Sequence, residues 1–105
     1  MFTCVGLLAA CAGTQIPRDR ITDPGELLFN GQVRSDINCY KCHNGDGTGS
    51  GRGPDLGKRV PSLTDQQVIA AIDDGPSIMP SFRDRLSASE KREIVAWLRH
   101  RFPAK

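Results

Sequence analysis

The chain has 105 residues, 38% of them hydrophobic and only six aromatic, with 14 basic against 12 acidic residues and a net charge of +2. That length gives room for one domain, and a domain this small buries only about 60–65% of its unfolded surface, so a thin core needs an additional staple. The near balance of charge argues against a nucleic-acid binder, which concentrates Lys and Arg on one face.

In chain order, Phe2 to Ala12 is an apolar, small-residue stretch about half the length needed to span a bilayer, so it reads as a signal core and not as a transmembrane anchor. Leu8-Ala9-Ala10-Cys11 resembles the bacterial lipoprotein box, in which the cysteine becomes the acylated first residue of the mature protein. A Leu/Ala-rich signal that holds a cysteine by chance is the alternative. Ten residues are short for a signal peptide, which leaves the start codon open. The expected organisation is a signal peptide over 1–10, a flexible tether over 11–22 and a folded domain over 23–105. Residues 13–21 are polar without periodicity, which suits a mobile tether between a lipid-bearing end and the domain.

Asp23-Pro24-Gly25-Glu26 supplies an N-cap, a proline at the first helical position and a glutamate at the third, so a short helix opens here and ends at Asn30-Gly31, burying Leu28 and Phe29. Cys39-Tyr40-Lys41-Cys42-His43 follows. A Cys-x-x-Cys-His run supplies two thiols for thioether bonds to haem vinyl groups and an imidazole for its iron. An accidental pentapeptide, half of a zinc site and a thiol-redox pair are the competing readings. From Asn44 to Gly53 glycine alternates, at 45, 47, 49, 51 and 53, which excludes a stable helix or packed strand and predicts a loop. A phosphate-cradling loop lacks its preceding strand, and a calcium loop through Asp46 lacks the other acidic ligands.

Thr64 with Gln67, and Leu63 with Val68, form a capping box and staple, so a helix should run to about Asp74 and stop at Gly75-Pro76, with Val68, Ala71 and Ile72 inward. Ser87 with Glu90 is a second capping box, which opens a helix to about Phe102 with an apolar stripe of Ile94, Val95, Trp97, Leu98 and Phe102. Nothing alternates like a strand. The fold class is all-α with long loops.

Four signals in this order, Cys39-x-x-Cys42-His43, Gly53-Pro54-Asp55-Leu56, Ile78-Met79-Pro80-Ser81-Phe82 and the Leu86 to Glu90 helix start followed by Trp97, resemble the class I c-type cytochromes over roughly Pro24 to Phe102. The resemblance implies a cytochrome c fold, three to four short helices wrapped around one covalently bound haem c. It implies a one-electron carrier and not an enzyme, with redox-protein partners, no small-molecule substrate and an extracytoplasmic location. It carries over His43 and Met79 as iron ligands, the Pro54 carbonyl as acceptor for the imidazole N–H, Leu56 and Phe82 as haem surround, and Phe29 and Trp97 as the contact between first and last helices. Met79 lies 36 residues beyond His43 in a proline-flanked segment. A gap-filling core methionine, a turn proline at Pro54 and ordinary core roles for Leu56 and Phe82 are the competing readings. The nine-residue spacer Asn30 to Asn38 is longer than in many relatives and leaves the end of the first helix open. Lys41, Lys58, Arg59, Arg83 and Arg85 are candidate steering charges for a partner. His100, between Arg99 and Arg101, reads as a solvated surface residue, and a haem enzyme or gas-binding domain would need a distal acid–base group, for which only Arg83 and Asp84 offer themselves.

Overall fold

Capping chemistry sets the helices of the computed structural model, which describes residues 13–104. The signal-peptide reading and the Cys11 lipidation site lie outside these residues. Helix α1 (Pro24–Phe29) starts at Asp23, whose carboxylate accepts the backbone N–H groups of Gly25 and Glu26. Helix α2 is one turn, Tyr40–His43, and α3 another, Leu56–Arg59. Helices α4 (Asp65–Asp74) and α5 (Ala88–Arg101) each begin with a complete capping box, through Thr64 with Gln67 and Ser87 with Glu90. Short 3-10 turns stand at Arg18–Arg20 and Val60–Ser62, and no strand occurs among the described residues. The three longer helices stand where the sequence places them; the single turns α2 and α3 carry no periodicity and were not anticipated.

Helices α1 and α5 cross at close range. A Cβ on Gly25 would lie 2.0 Å from the Glu93 carbonyl oxygen and 2.9 Å from Trp97 Cβ, so only glycine allows the two backbones to meet. Phe29 packs on Trp97 with ring centroids 4.9 Å apart and planes tilted by 52°. Leu28, Phe29, Ile94, Val95, Trp97 and Leu98 are all buried around this crossing.

The spacer after α1 is pinned at Arg34 and Ile37. Ile37 is fully buried, and the Arg34 guanidinium donates to both carboxylate oxygens of Glu90, at 2.8 and 3.1 Å, and to the Arg85 carbonyl. Residues 13–21, expected from the sequence to be a mobile tether, make contacts of the same kind. Gly13 N–H donates to the Lys41 carbonyl, Thr14 N–H to Asn44 Oδ1 and Gly45 N–H to the Thr14 carbonyl, while Ile21 is buried. The buried Asn30 side chain accepts the Ile16 N–H at 2.8 Å and donates to the carbonyls of Glu26 and Gly45. This segment is a strap laid along α1 and α2. Polar composition without periodicity does not distinguish a solvated chain from one whose partners are backbone groups elsewhere in the fold.

Candidate cofactor-binding site

One turn of helix explains the Cys-x-x-Cys-His spacing. With Cys39 at the N-cap and the His43 N–H donating to the Cys39 carbonyl at 3.0 Å, residues 39, 42 and 43 fall on one side of α2. The glycine-rich loop then folds back over this turn. Gly49 N–H donates to the His43 carbonyl at 2.8 Å, and Ser50 Oγ donates to the Cys42 carbonyl at 2.6 Å. A tight turn from Ser50 to Gly53 delivers Pro54, whose carbonyl lies 3.0 Å from His43 Nδ1. A carbonyl can only accept, so Nδ1 carries the proton and Nε2 is left as the unprotonated nitrogen. His43 itself is buried and stands 6.4 Å from the Phe29 ring.

These groups line a cavity of about 740 Å³, which falls within the span of cofactor sites, about 300–1,000 Å³. Cys39, Cys42, His43, Pro54, Leu56, Met79 and Phe82 are all on its wall, so every sequence-predicted haem residue is brought to one place. The remaining wall is largely apolar, with Phe29, Val60, Val68, Ile72, Ile94 and Leu98. His100 is exposed near the end of α5 and takes no part. Arg83 and Asp84 do not line the cavity, and the Arg83 guanidinium is turned toward Asp73 and Asp74 of α4. That placement keeps these two residues from serving as a distal acid–base group.

Burial pushes the Cys39 thiol up to about 12, with Cys42 beside it adding to the rise. A thiol-redox pair needs the opposite shift, because the thiolate is the nucleophile. Among the described residues no group of three or more His, Cys, Asp or Glu side chains converges as a metal-binding cluster, which leaves the zinc reading without its ligands. What the donor set fits is a flat apolar group bonded to two neutral sulfurs beneath one oriented imidazole.

Residues 25–98 match the family model described as cytochrome c oxidase, cbb3-type, subunit III. The chain belongs to this family and is a c-type cytochrome. It therefore carries covalently bound haem c, and it is an electron-transfer component, not an enzyme in its own right. It is 42% identical to the cytochrome bc1 complex cytochrome c subunit of Corynebacterium diphtheriae over 73% of this cytochrome and 28% of that protein. Against the subunit of the same name from Mycobacterium leprae it is 40% identical over 60% of this chain and 22% of that protein. The cytochrome thus spans about a quarter of the length of these relatives. No solved structure matches it.

Sequence reasoning missed one charged residue of the site and placed three others there that lie elsewhere. Arg52 joins Lys41 and Arg59 on the cavity wall, which holds no Asp or Glu. Lys58, Arg83 and Arg85 lie off it, with the Arg85 guanidinium over the Phe82 ring, 5.6 Å from its centroid. The signal for Arg52 was its place two residues before Pro54, which goes wherever the His43 acceptor goes.

Proposed function

We propose that this cytochrome is a one-electron carrier of an extracytoplasmic respiratory or related electron-transfer chain, with Cys39 and Cys42 holding the haem and His43 and Met79 ligating its iron. Haem c, when bound, supplies a single ferric/ferrous couple. The observation that carries the reading is the 3.0 Å contact from His43 Nδ1 to the Pro54 carbonyl, on the wall shared with both cysteines and Met79. That bond fixes the ring's orientation and makes Nε2 the better donor. The Met79 thioether is a neutral, soft ligand that favours the ferrous state, and Pro80 stiffens the backbone that presents it. Leu56 and Phe82 supply apolar wall that limits water at the site.

Lys41, Arg52 and Arg59, with no acidic neighbour on the wall, suit docking to an acidic face of a redox-protein partner. Its relatives, which are cytochrome bc1 complex cytochrome c subunits, support a place beside or within a respiratory complex. Export and a lipid on Cys11 would keep the protein at a membrane surface on the outer side of the cytoplasmic membrane, and no helix of the described residues is long and apolar enough to cross one.

Absorption spectra of the purified protein in both oxidation states, with and without CO, test the core of this reading. A low-spin c-type spectrum that CO perturbs slowly is expected, and Met79→Ala should bind CO at once and lower the reduction potential. Parental spectra and CO behaviour in Met79→Ala would remove Met79 from the iron. Cys11→Ser should release the protein from membranes; retention there would refute the acyl anchor.

A further inference from the structure

Helix α4 ends in a way that helices avoid. Asp73 and Asp74 close its last turn with no basic residue there, although the negative end of a helix dipole disfavours carboxylates. Both are engaged by groups from the segment that carries Met79 and from α5. Lys91 Nζ, on α5, lies 2.6 Å from Asp73 Oδ1 and 3.2 Å from the Arg83 carbonyl. Both side chains of the Lys91–Asp73 pair are mostly buried, at 13% and 15% exposure, and beyond this ion pair that buried oxygen accepts no hydrogen bond among the described residues. Arg83 pairs with Asp74, Ser81 Oγ donates to the Asp73 carbonyl, and Phe82 N–H donates to the Ile72 carbonyl at 2.9 Å.

The segment so held is under strain. Gly75 is left-handed at φ 63°, and a Cβ there would lie 2.4 Å from the Met79 carbonyl oxygen, so the chain doubles back tightly on the end of α4. Ser77, which is not glycine, is also left-handed at φ 58°. Such a conformation persists when the surroundings over-determine it.

We propose that Lys91, clamped between the Asp73 carboxylate and the Arg83 carbonyl, is a positioning residue for Met79 and sets how readily the methionine segment swings off the haem face. The proposal rests on Met79 being the iron ligand. Lys91 does not line the cavity; it acts by joining α5, the end of α4 and the Met79 segment at one point. Without it a mostly buried carboxylate loses its nearer counter-charge and keeps only the Arg83 guanidinium, 3.8 Å from its other oxygen, and the strained segment loses one of its ties.

The test is the rate at which the full-length ferrous holoprotein captures CO, read beside the long-wavelength ferric band of thioether-bound iron. Lys91→Met and Asp73→Asn should each speed capture by about tenfold, and the double variant should go no further, since both remove one interaction. Lys91→Arg, which keeps the charge, should fall between Lys91→Met and the parent. Val95→Ala loosens the same helix at a buried position off the cavity wall and should leave capture within about twofold. Capture in Lys91→Met and Asp73→Asn within twofold of the parent, or equal acceleration by Val95→Ala, would overturn the proposal while leaving the ligand in place. Parental capture in Met79→Ala would instead overturn the ligand reading, and the latch with it.

Discussion

Replacing Asn30 with alanine measures how firmly the N-terminal strap belongs to the fold. The side chain accepts the Ile16 N–H at 2.8 Å and donates to the Gly45 carbonyl at 3.0 Å and the Glu26 carbonyl at 3.1 Å. The Glu26 carbonyl keeps a partner, because the backbone N–H of Asn30 also donates to it at 3.0 Å. Truncation therefore orphans two groups, the Ile16 N–H and the Gly45 carbonyl. At roughly 1–3 kcal/mol for each unsatisfied buried group, with the half-buried Ile16 end regaining some water, the loss is about 2–4 kcal/mol. That is a large share of the about 5–15 kcal/mol by which a domain of this size is stable. Urea unfolding of the holoprotein should show a lower midpoint with an unchanged slope, and amide exchange at Ile16 should quicken more than exchange in α5. Asn30→Asp keeps the acceptor for Ile16 but sets an oxygen against the Gly45 carbonyl, so it should lose about as much. A loss below about 0.5 kcal/mol in both variants, with Ile16 exchange unchanged, would mean that the strap is not held by this residue.

Gly25→Ala forces a methyl group against the Glu93 carbonyl and Trp97 at the α1–α5 crossing, so it should destabilise by about 1–3 kcal/mol or more, read as a fall in Tm. Glu90 is held down at about 2 by the hydrogen bond from Arg34, helped by the Ser87 N–H. Its folded value lies below the ordinary 4.5, so its contribution is complete above pH 4.5 and drains away as pH falls toward 2; Glu90→Gln should flatten the stability profile across that window. Reversing charge with Lys41→Glu and Arg59→Glu should slow reduction by an acidic partner at low salt and leave the high-salt rate alone; equal slowing at both would place docking elsewhere.

What could be read in the amino-acid sequence was local chemistry. Asp23, Thr64 and Ser87 announce helix starts because a cap is a contact between near neighbours, and all three hold in the structure. The Cys39-to-His43 spacing reaches one face in one turn, so those three residues could be placed together before any fold was known. Asn30 and Lys91 carried no such signal. Asn30 read as a helix stop and Lys91 drew no reading at all, since their partners, Ile16 and Gly45 for one and Asp73 and Arg83 for the other, are not near neighbours along the chain. The Pro54 acceptor was found only through family likeness. A turn proline and a ligand-orienting carbonyl have the same sequence; what the fold adds is the 3.0 Å contact between the Pro54 carbonyl and His43 Nδ1.

The cavity also bears on what haem does for the fold. At about 24 cal/mol per Å³, an unfilled space of about 740 Å³ would cost on the order of 18 kcal/mol, an upper bound because its mouth is open to water. Even a third of that is comparable with the lower end of the stability of a domain this size. Phe29, Val68, Ile72, Phe82, Ile94 and Leu98 join the cavity wall to the apolar core, and among the described residues no second core holds the helices apart. Cys39→Ser combined with Cys42→Ser, produced free of haem, should therefore collapse to a state with residual helix and no fixed packing. Far-ultraviolet circular dichroism should persist in part, the near-ultraviolet signal of Trp97 should vanish, and a hydrophobic dye should bind. A haem-free variant that retains its near-ultraviolet spectrum and a cooperative urea transition at the parental midpoint would show that the polypeptide holds this cavity open by itself, and that the small core is sufficient without the macrocycle.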